Sequence, residues 1–181
     1  MTRRHSTLRL GKGSAFVKSR LLRLPRGNVV LEADFCPLPE PVSGSHDLWL
    51  GLVVSHRDGS VLAQEILPAA PTVNDLATLL ANSIGRPLTD EQPARPAVIC
   101  IRNTPDWEEL LPHLKQLEIQ VVVTEDLPEW TKTGAALVHY LEMQQPQRRA
   151  TDQPAFADDL LNLRLTAILF LARCPKRKDN P

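Results

Sequence analysis

Cysteine is scarce in this sequence. Its three cysteines, Cys36, Cys100 and Cys174, are far apart and form no CxxC pair. An odd number of widely spaced cysteines predicts reduced thiols, which favours a cytoplasmic protein over a secreted disulfide scaffold. The five histidines are not spaced as metal ligands either, because no two are four residues apart and none is near a cysteine. The sequence therefore offers no recognisable zinc site.

Aromatic residues and long apolar runs are also scarce. Aromatics make up 4% of the chain, whereas a base-stacking surface needs exposed aromatics on a basic face. Trp107 and Trp130 fall on the apolar stripes of predicted helices, so we expect both to be buried. The longest apolar run, residues 165–172, is far shorter than the roughly 20 residues of a membrane span. Neither this run nor the N-terminal segment predicts membrane insertion or a signal peptide.

The chain has no net charge, but its charges are unevenly distributed. Residues 1–26 hold eight Lys or Arg and no acid, whereas residues 27–172 hold nine basic and twenty acidic residues. Residues 173–181 add four basic residues and one acid. Because an acidic body repels phosphate, only the N-terminal arm is a candidate for binding nucleic acid. The alternative is that both basic ends are simply solvated.

The hydrophobic pattern predicts alternating strands and helices. Predicted strands cover residues 28–35, 48–55, 60–67, 97–101 and 119–125. Asp58-Gly59 predicts a tight hairpin turn between the second and third strands. Predicted helices cover residues 71–85, 104–117 and 126–141.

Local signals place the ends of these helices. Thr72 and Asp75 form a capping box, and Gly85 is expected just after the end of the first helix. Pro112 predicts a kink or break near Glu109 in the second helix. Asp126 is expected to cap the third helix.

The resulting order, β-β-β-α-β-α-β-α, predicts an α/β domain. Helices of this length between strands imply parallel pairing, whereas the front hairpin must be antiparallel, so we expect a five-stranded mixed sheet with flanking helices. The predicted organisation is a basic N-terminal arm (1–26), an α/β domain (27–143), a linker (144–154), and a C-terminal helix with a basic tail (155–181).

Two resemblances follow from these patterns. Three opening strands followed by alternating helices and strands resemble the topology of the ribonuclease-H-like fold. The segments WLGLVVSHRDGSVLAQEIL, RPAVICIRN and LKQLEIQVVVTEDLPEW, which lie between Trp49 and Leu141, resemble an uncharacterised bacterial domain family of unknown function. The second resemblance implies a fold and little chemistry.

The ribonuclease-H-like topology indicates where carboxylates for a two-metal site would lie. Asp34 on the first strand, Asp75 on the first helix and Asp106 after the fourth strand are the candidates. Against them, Arg102 at the end of the fourth strand would place a cation beside any metal ion. Ser55 stands where an acid would be expected in the hairpin. His56, on the hairpin turn, is expected to be solvated.

Other chemistries have even less support. The sequence contains no GxSxG elbow, Walker loop or GxGxxG motif. We therefore interpret the chain as a non-catalytic α/β module that acts through protein contacts, without a cofactor. Its C-terminal helix is the candidate surface for a partner or a homodimer. The alternatives are a degenerate ribonuclease-H-like nuclease that uses Mg²⁺ or Mn²⁺, and a nucleic-acid-associated protein that binds through its basic arm.

Overall fold

A single five-stranded sheet organises the part of the chain that the structure describes. The structure is a computed structural model, and it describes residues 7–9, 14–39 and 47–144. The strands are β1 (Val30–Pro37), β2 (Trp49–Ser55), β3 (Val61–Leu67), β4 (Val98–Ile101) and β5 (Gln120–Val123). Their order in the sheet is β3-β2-β1-β4-β5. The two pairs formed by β1, β2 and β3 are antiparallel, and the pairs β1–β4 and β4–β5 are parallel. The predicted mixed sheet with an antiparallel front is confirmed.

Helices connect the parallel strands, as the predicted order requires. They are α1 (Ser14–Leu22), α2 (Val73–Gly85), a 3₁₀ segment (Pro105–Leu110) that continues into α3 (Leu111–Gln116), and α4 (Pro128–Gln144). Both parallel pairs are made by strands that a helical connection separates, which is the arrangement that parallel strands need. No helix among the described residues is both long and apolar enough to cross a membrane.

The structure confirms two of the local signals that predicted where helices begin or break. The capping box is confirmed, because the Thr72 side chain accepts from the Asp75 amide and the Asp75 carboxylate accepts from the Thr72 amide. The break at Pro112 is also confirmed, since the 3₁₀ segment ends at Leu110 and Pro112 lies in the first turn of α3. Pro112 is tolerated there because the first amides of a helix have no partner within it.

Two of the predicted helix ends are wrong by one or two residues. Gly85 is the last residue of α2, and Arg86 is the C-cap, with its amide donating to the Asn82 carbonyl. The third predicted helix begins at Pro128, so Asp126 lies before it. The Asp126 amide instead donates to the Thr124 hydroxyl at 3.2 Å, which makes a local turn that competes with the helix.

The sheet separates two apolar cores. The first face is covered by α1, α2, the 3₁₀ segment and α3, and it buries Leu31, Ala33, Phe35, Val53, Leu76, Leu80, Ile99, Ile101, Trp107, Leu110 and Leu114, among others. The second face is covered by α4 and buries Leu38, Leu48, Leu50, Leu52, Val54, Val61, Ile66, Leu127, Trp130, Leu137 and Leu141. Both tryptophans that were expected to be buried are buried.

Part of the predicted basic arm packs on the domain. Leu21 of α1 is buried in the first core, so the arm contributes to the fold from α1 onward. The predicted linker beyond Gln144 and the predicted C-terminal helix lie outside the described residues.

Candidate functional site

The acidic residues of β1 lie on the second face of the sheet. Side chains alternate along a strand, so Leu31, Ala33 and Phe35 enter the first core while Glu32 and Asp34 point towards the face that α4 covers. Both carboxylates are almost completely buried, at 1% exposure for Glu32 and 5% for Asp34. Buried carboxylates require partners, so the donors around them decide what this site can do.

Arg102 is the partner of Asp34. Because β1 and β4 are parallel, with Ala33 opposite Ile101, the next residue on each strand brings the two side chains to the same level. Arg102 Nε lies 2.5 Å from Asp34 Oδ2, and the guanidinium lies over the Trp130 ring, 5.6 Å from its centroid. The pKa of Asp34 is raised, mainly by burial, although the Phe35 amide and the Arg102 charge oppose this shift.

Glu32 is held by the start of α4 and by the hairpin turn. Its Oε2 accepts from the Trp130 amide at 2.7 Å, and its Oε1 lies 2.5 Å from His56 Nδ1. Free amides in the first turn of a helix favour an anion at this position. The expectation that His56 is simply solvated is wrong, because its half-exposed ring contacts a buried carboxylate.

Trp130 joins the helix to the sheet. Its indole Nε1 donates to the backbone carbonyls of Asp34, at 3.2 Å, and Leu52, at 3.1 Å. Its amide binds Glu32, and its ring contacts the Arg102 guanidinium. One residue therefore ties α4 to β1, β2 and the end of β4, which leaves the two carboxylates little freedom to reorient.

The nearby thiols are protonated at neutral pH. Burial raises the pKa of Cys36 to about 11, with a further contribution from the Asp34 charge. Burial also raises the pKa of Cys100, as does the Glu32 charge. Because the thiolate is the reactive form, neither thiol is activated as a nucleophile. Cys100 is half-buried.

The three candidate aspartates belong to different elements of the fold. Asp34 lies on the second face, whereas Asp75 caps α2 on the first face and binds Thr72. Asp106 is in the 3₁₀ segment, which packs on the first core through Trp107 and Leu110. The structure does not bring Asp34 and Asp75 together.

The residues around Asp34 do not fit a magnesium or manganese ion. These ions prefer several carboxylate, carbonyl or water oxygens, but Asp34 Oδ2 is held by a guanidinium. Within the described residues no three His, Cys, Asp or Glu side chains are arranged to hold a metal. The Arg102 cation therefore occupies one of the two oxygens with which Asp34 could bind a metal ion.

Glu32 and its contact with His56 were not predicted as part of the site. One signal for Glu32 was available: two acids at alternate positions, Glu32 and Asp34, interrupt an otherwise apolar strand. Such a pair must lie on one face of the sheet. The contact with His56 depends on the antiparallel pairing of β1 and β2, which continues one residue beyond Ser55, where the His56 amide donates to the Val30 carbonyl at 2.9 Å.

The sheet order, with parallel β4 and β5 beside an antiparallel front, defines a ribonuclease-H-like fold. The chain belongs to the family described as Domain of unknown function (DUF6930), whose model matches residues 18–137. No curated protein matches the chain.

Solved structures with a similar fold include retroviral integrase cores. The HTLV-2 integrase catalytic core domain in complex with magnesium has a TM-score of 0.56 at 14% identity, over 80% of this chain and 86% of that one. The BIV integrase catalytic core has a TM-score of 0.56 at 14% identity, over 82% of this chain and 86% of that one. A chain of the simian T-cell lymphotropic virus intasome, solved in complex with PP2A regulatory subunit B56 gamma, has a TM-score of 0.57 at 19% identity. The match covers 81% of this chain and 50% of that one. At these identities the likeness shows the fold alone.

Proposed function

We propose that this chain is a non-catalytic α/β module that acts through protein contacts. The observation that carries the proposal is the ion pair between Asp34 and Arg102. A metal-dependent nuclease needs free carboxylate oxygens, and this pair occupies the strand position at which they would be expected. Glu32, the other acid on this face, is held by the Trp130 amide and His56.

The surface proposed for protein contacts begins at β5. This strand pairs with β4 on one side, and within the described residues nothing pairs with its other edge. Val122 and Val123 are 38% and 47% exposed. An edge strand with exposed valines is a template for another chain. We propose that a second copy of this chain binds here, with the predicted C-terminal helix (155–181) completing the dimer.

Light scattering tests this dimer. We expect the full chain to be a dimer and a chain ending at residue 154 to be a monomer. Val122→Lys should weaken the dimer by placing a charge on the edge strand. Met143→Lys is the matched control, because Met143 is an exposed apolar residue on α4. A full chain that stays monomeric at high concentration would contradict the proposal.

We also propose that the module needs no divalent metal. The motivation is again the guanidinium at Asp34, which repels a second cation. Electron paramagnetic resonance of free Mn²⁺ should show no protein-dependent loss of signal, and Asp34→Asn should behave as the wild type does. Saturable Mn²⁺ binding that Asp34→Asn removes would instead support the degenerate nuclease, with Asp75 and Asp106 as the next residues to substitute.

A second candidate function, nucleic-acid binding through the basic arm, has a specific observation in its favour. Arg20, Arg23 and Arg26 at the C-terminal end of the arm are exposed, and no acid precedes residue 27 to neutralise them. Deleting the whole arm would remove Leu21 from the core, so Arg23→Glu with Arg26→Glu is the sharper test. Fluorescence anisotropy at low salt should show weaker binding of single-stranded RNA or duplex DNA by this variant. Absence of binding by the unsubstituted chain would reject this function.

We propose a cytoplasmic location in a bacterial cell. The support is the wide spacing of the three cysteines and the resemblance to a bacterial domain family. Fractionation of cells that express the full chain, followed by thiol labelling in denaturant without reductant, would test it. Membrane-associated protein or unreactive, oxidised cysteines would contradict this location.

A further inference from the structure

A cavity of about 490 Å³ lies on the first face, away from the Asp34 site. Helix α1, helix α2 and the 3₁₀–α3 segment enclose it, and residues 8 and 9 close one end. Its volume lies within the roughly 300–1,000 Å³ that small-molecule sites occupy. Its apolar lining includes Leu8, Phe16, Val17, Leu21, Leu80 and Leu114.

The cavity exists because small side chains separate α1 from α2. Ala77 and Ala81 are one helical turn apart on α2 and line the cavity. Leu21 is buried against this region, but Phe16 and Val17 of α1 remain 73% and 42% exposed. Helix α1 therefore covers α2 incompletely and leaves apolar surface at the entrance.

The charged residues that line the cavity are all basic, and the exposed Glu109 lies beside one end of it, where its Oε2 accepts from the Leu8 amide. Arg9, Lys18, Arg20 and Arg86 line the cavity, and no Asp or Glu of the described residues does. Lys18 is already engaged, since its Nζ donates to Gln116 Oε1 at 2.8 Å and lies 2.6 Å from His113 Nδ1. Among the described residues, no carboxylate forms an ion pair with the three arginines.

This concentration of cations contrasts with the body of the protein. Residues 27–172 carry twenty acids and nine basic residues, whereas the charged residues that line this apolar cavity are basic, and three of the four belong to residues 1–26. Arginines that have no carboxylate partner among the described residues, at the edge of an apolar cavity, attract an anion that carries its own apolar part. Asn74 supports the rim, because its Oδ1 accepts from the Arg9 amide at 2.8 Å.

We infer that this cavity binds an amphipathic anion, a molecule with an alkyl chain and one carboxylate. The alkyl chain would occupy the space above Ala77 and Ala81, and the carboxylate would lie beside Arg20 and Arg86, because Leu21 packs next to Gly85 and brings these two arginines to the same end of the cavity. This binding is separate from the proposed contact at β5, because no residue of β5 is among the described residues that line the cavity.

Fluorescence titration with dansyl-undecanoate tests the inference on the full chain. We expect saturable binding of one probe per chain. The uncharged methyl ester of the probe should bind about tenfold more weakly, which corresponds to about 1.4 kcal/mol. Equal binding of acid and ester would overturn the assignment of an anion site, and no saturable binding would overturn the site itself.

Two pairs of variants locate the bound probe. Ala81→Trp should fill the cavity and reduce affinity at least about tenfold, whereas Ala135→Trp on the exposed side of α4 should not change it. Arg20→Glu with Arg86→Glu should abolish the preference for the acid over the ester, and Lys132→Glu on α4 should preserve it. If Ala81→Trp fails to fold by circular dichroism, the exposed arginine variants decide alone. An unchanged preference in the double glutamate variant would place the probe elsewhere and reject the inference.

Discussion

At the scale of single residues, the second face of the sheet shows how one cation changes the chemistry of a carboxylate. Asp34 is buried, and burial raises its pKa. Arg102 partly offsets this shift by stabilising the charged form. The same pairing that keeps Asp34 tolerable in the interior also removes it as a free ligand. The stability of the fold requires Asp34 to be paired with Arg102, and this pairing limits its use as a metal ligand.

Substituting Arg102 should show how much its charge stabilises the buried carboxylate of Asp34. We expect Arg102→Ala to lower the free energy of unfolding by about 1–3 kcal/mol at neutral pH, because Asp34 is left buried without its ion-pair partner. Urea unfolding followed by tryptophan fluorescence measures the change. Asp34→Leu combined with Arg102→Met should recover much of the loss, since it removes both charges and keeps the volume.

The loss should also depend on pH in a defined direction. An aspartate with a raised folded pKa holds its proton to higher pH in the folded chain, so stability falls as pH rises through that window. Removing Arg102 raises the folded pKa of Asp34 further. The loss in free energy of unfolding caused by Arg102→Ala should therefore be fully present at neutral pH. It should shrink as the pH falls towards the ordinary pKa of aspartate. If this loss in free energy of unfolding grew on acidification, the charge of Asp34 would not be its cause.

Glu32 gives a second prediction at this scale. Glu32→Ala leaves the buried Trp130 amide without an acceptor, which should cost about 1–3 kcal/mol of stability. Glu32→Gln keeps a side-chain oxygen for this amide and should cost less. His56→Ala removes only the half-exposed partner and serves as the control. Urea unfolding of the three variants would contradict the assignment if His56→Ala were as damaging as Glu32→Ala.

At the scale of elements, close packing between strands and rings sets which residues are allowed. Gly51 on β2 faces Phe35 on β1, and a β-carbon at Gly51 would overlap the ring carbons of Phe35. That ring cannot move freely, because it packs on Trp107 with 6.1 Å between ring centroids. The central antiparallel pair therefore depends on a residue without a side chain.

Two glycine substitutions should have opposite effects. Gly51→Ala should destabilise the protein by about 1–3 kcal/mol, as overpacking of a core does. Gly134→Ala, in the interior of α4, meets its nearest atom at 3.7 Å, an ordinary contact, and should stabilise it by about 0.5–1 kcal/mol through helix propensity. Thermal unfolding by circular dichroism distinguishes them. If both variants changed the Tm in the same direction, the proposed difference between the two glycine positions would be contradicted.

The elements that the sequence predicts well are those with local causes. The hairpin follows from Asp58-Gly59, and Gly59 indeed has a positive φ of 71°. The start of α2 follows from the capping box formed by Thr72 and Asp75, and the order of elements follows from hydrophobic periodicity. The predicted sheet is correct because the rules for parallel and antiparallel connections leave few arrangements.

The site was harder to predict because its contacts join distant residues. Glu32 and His56 are 24 positions apart, and Glu32 and Trp130 are 98 apart. The sequence indicated that Arg102 would interfere with a metal at Asp34, because topology alone brings β1 beside β4. It did not indicate that Glu32 would accept from the first turn of α4, which requires the position of that helix over the sheet.

At the scale of the whole molecule, helices cover both faces of the sheet, but more helical elements cover the first face than the second. The first core is closed by α1, α2, the 3₁₀ segment and α3, whereas the second depends on α4. The family match ends at residue 137, within α4. Among the described residues, the last residue of α4 that is buried in the second core is Leu141.

This arrangement predicts how far the chain can be shortened. A chain ending at residue 144 should fold and unfold cooperatively, because Leu127, Trp130, Leu137 and Leu141 still cover the second face. A chain ending at residue 126 should fail to fold, since it would expose Leu50, Leu52 and Ile66, which are at most 2% exposed in the folded protein. Urea unfolding and the dispersion of amide proton signals measure both. Loss of cooperative unfolding in the longer chain would mean that the fold needs residues 145–181, and the boundary of the folded unit would then lie beyond α4.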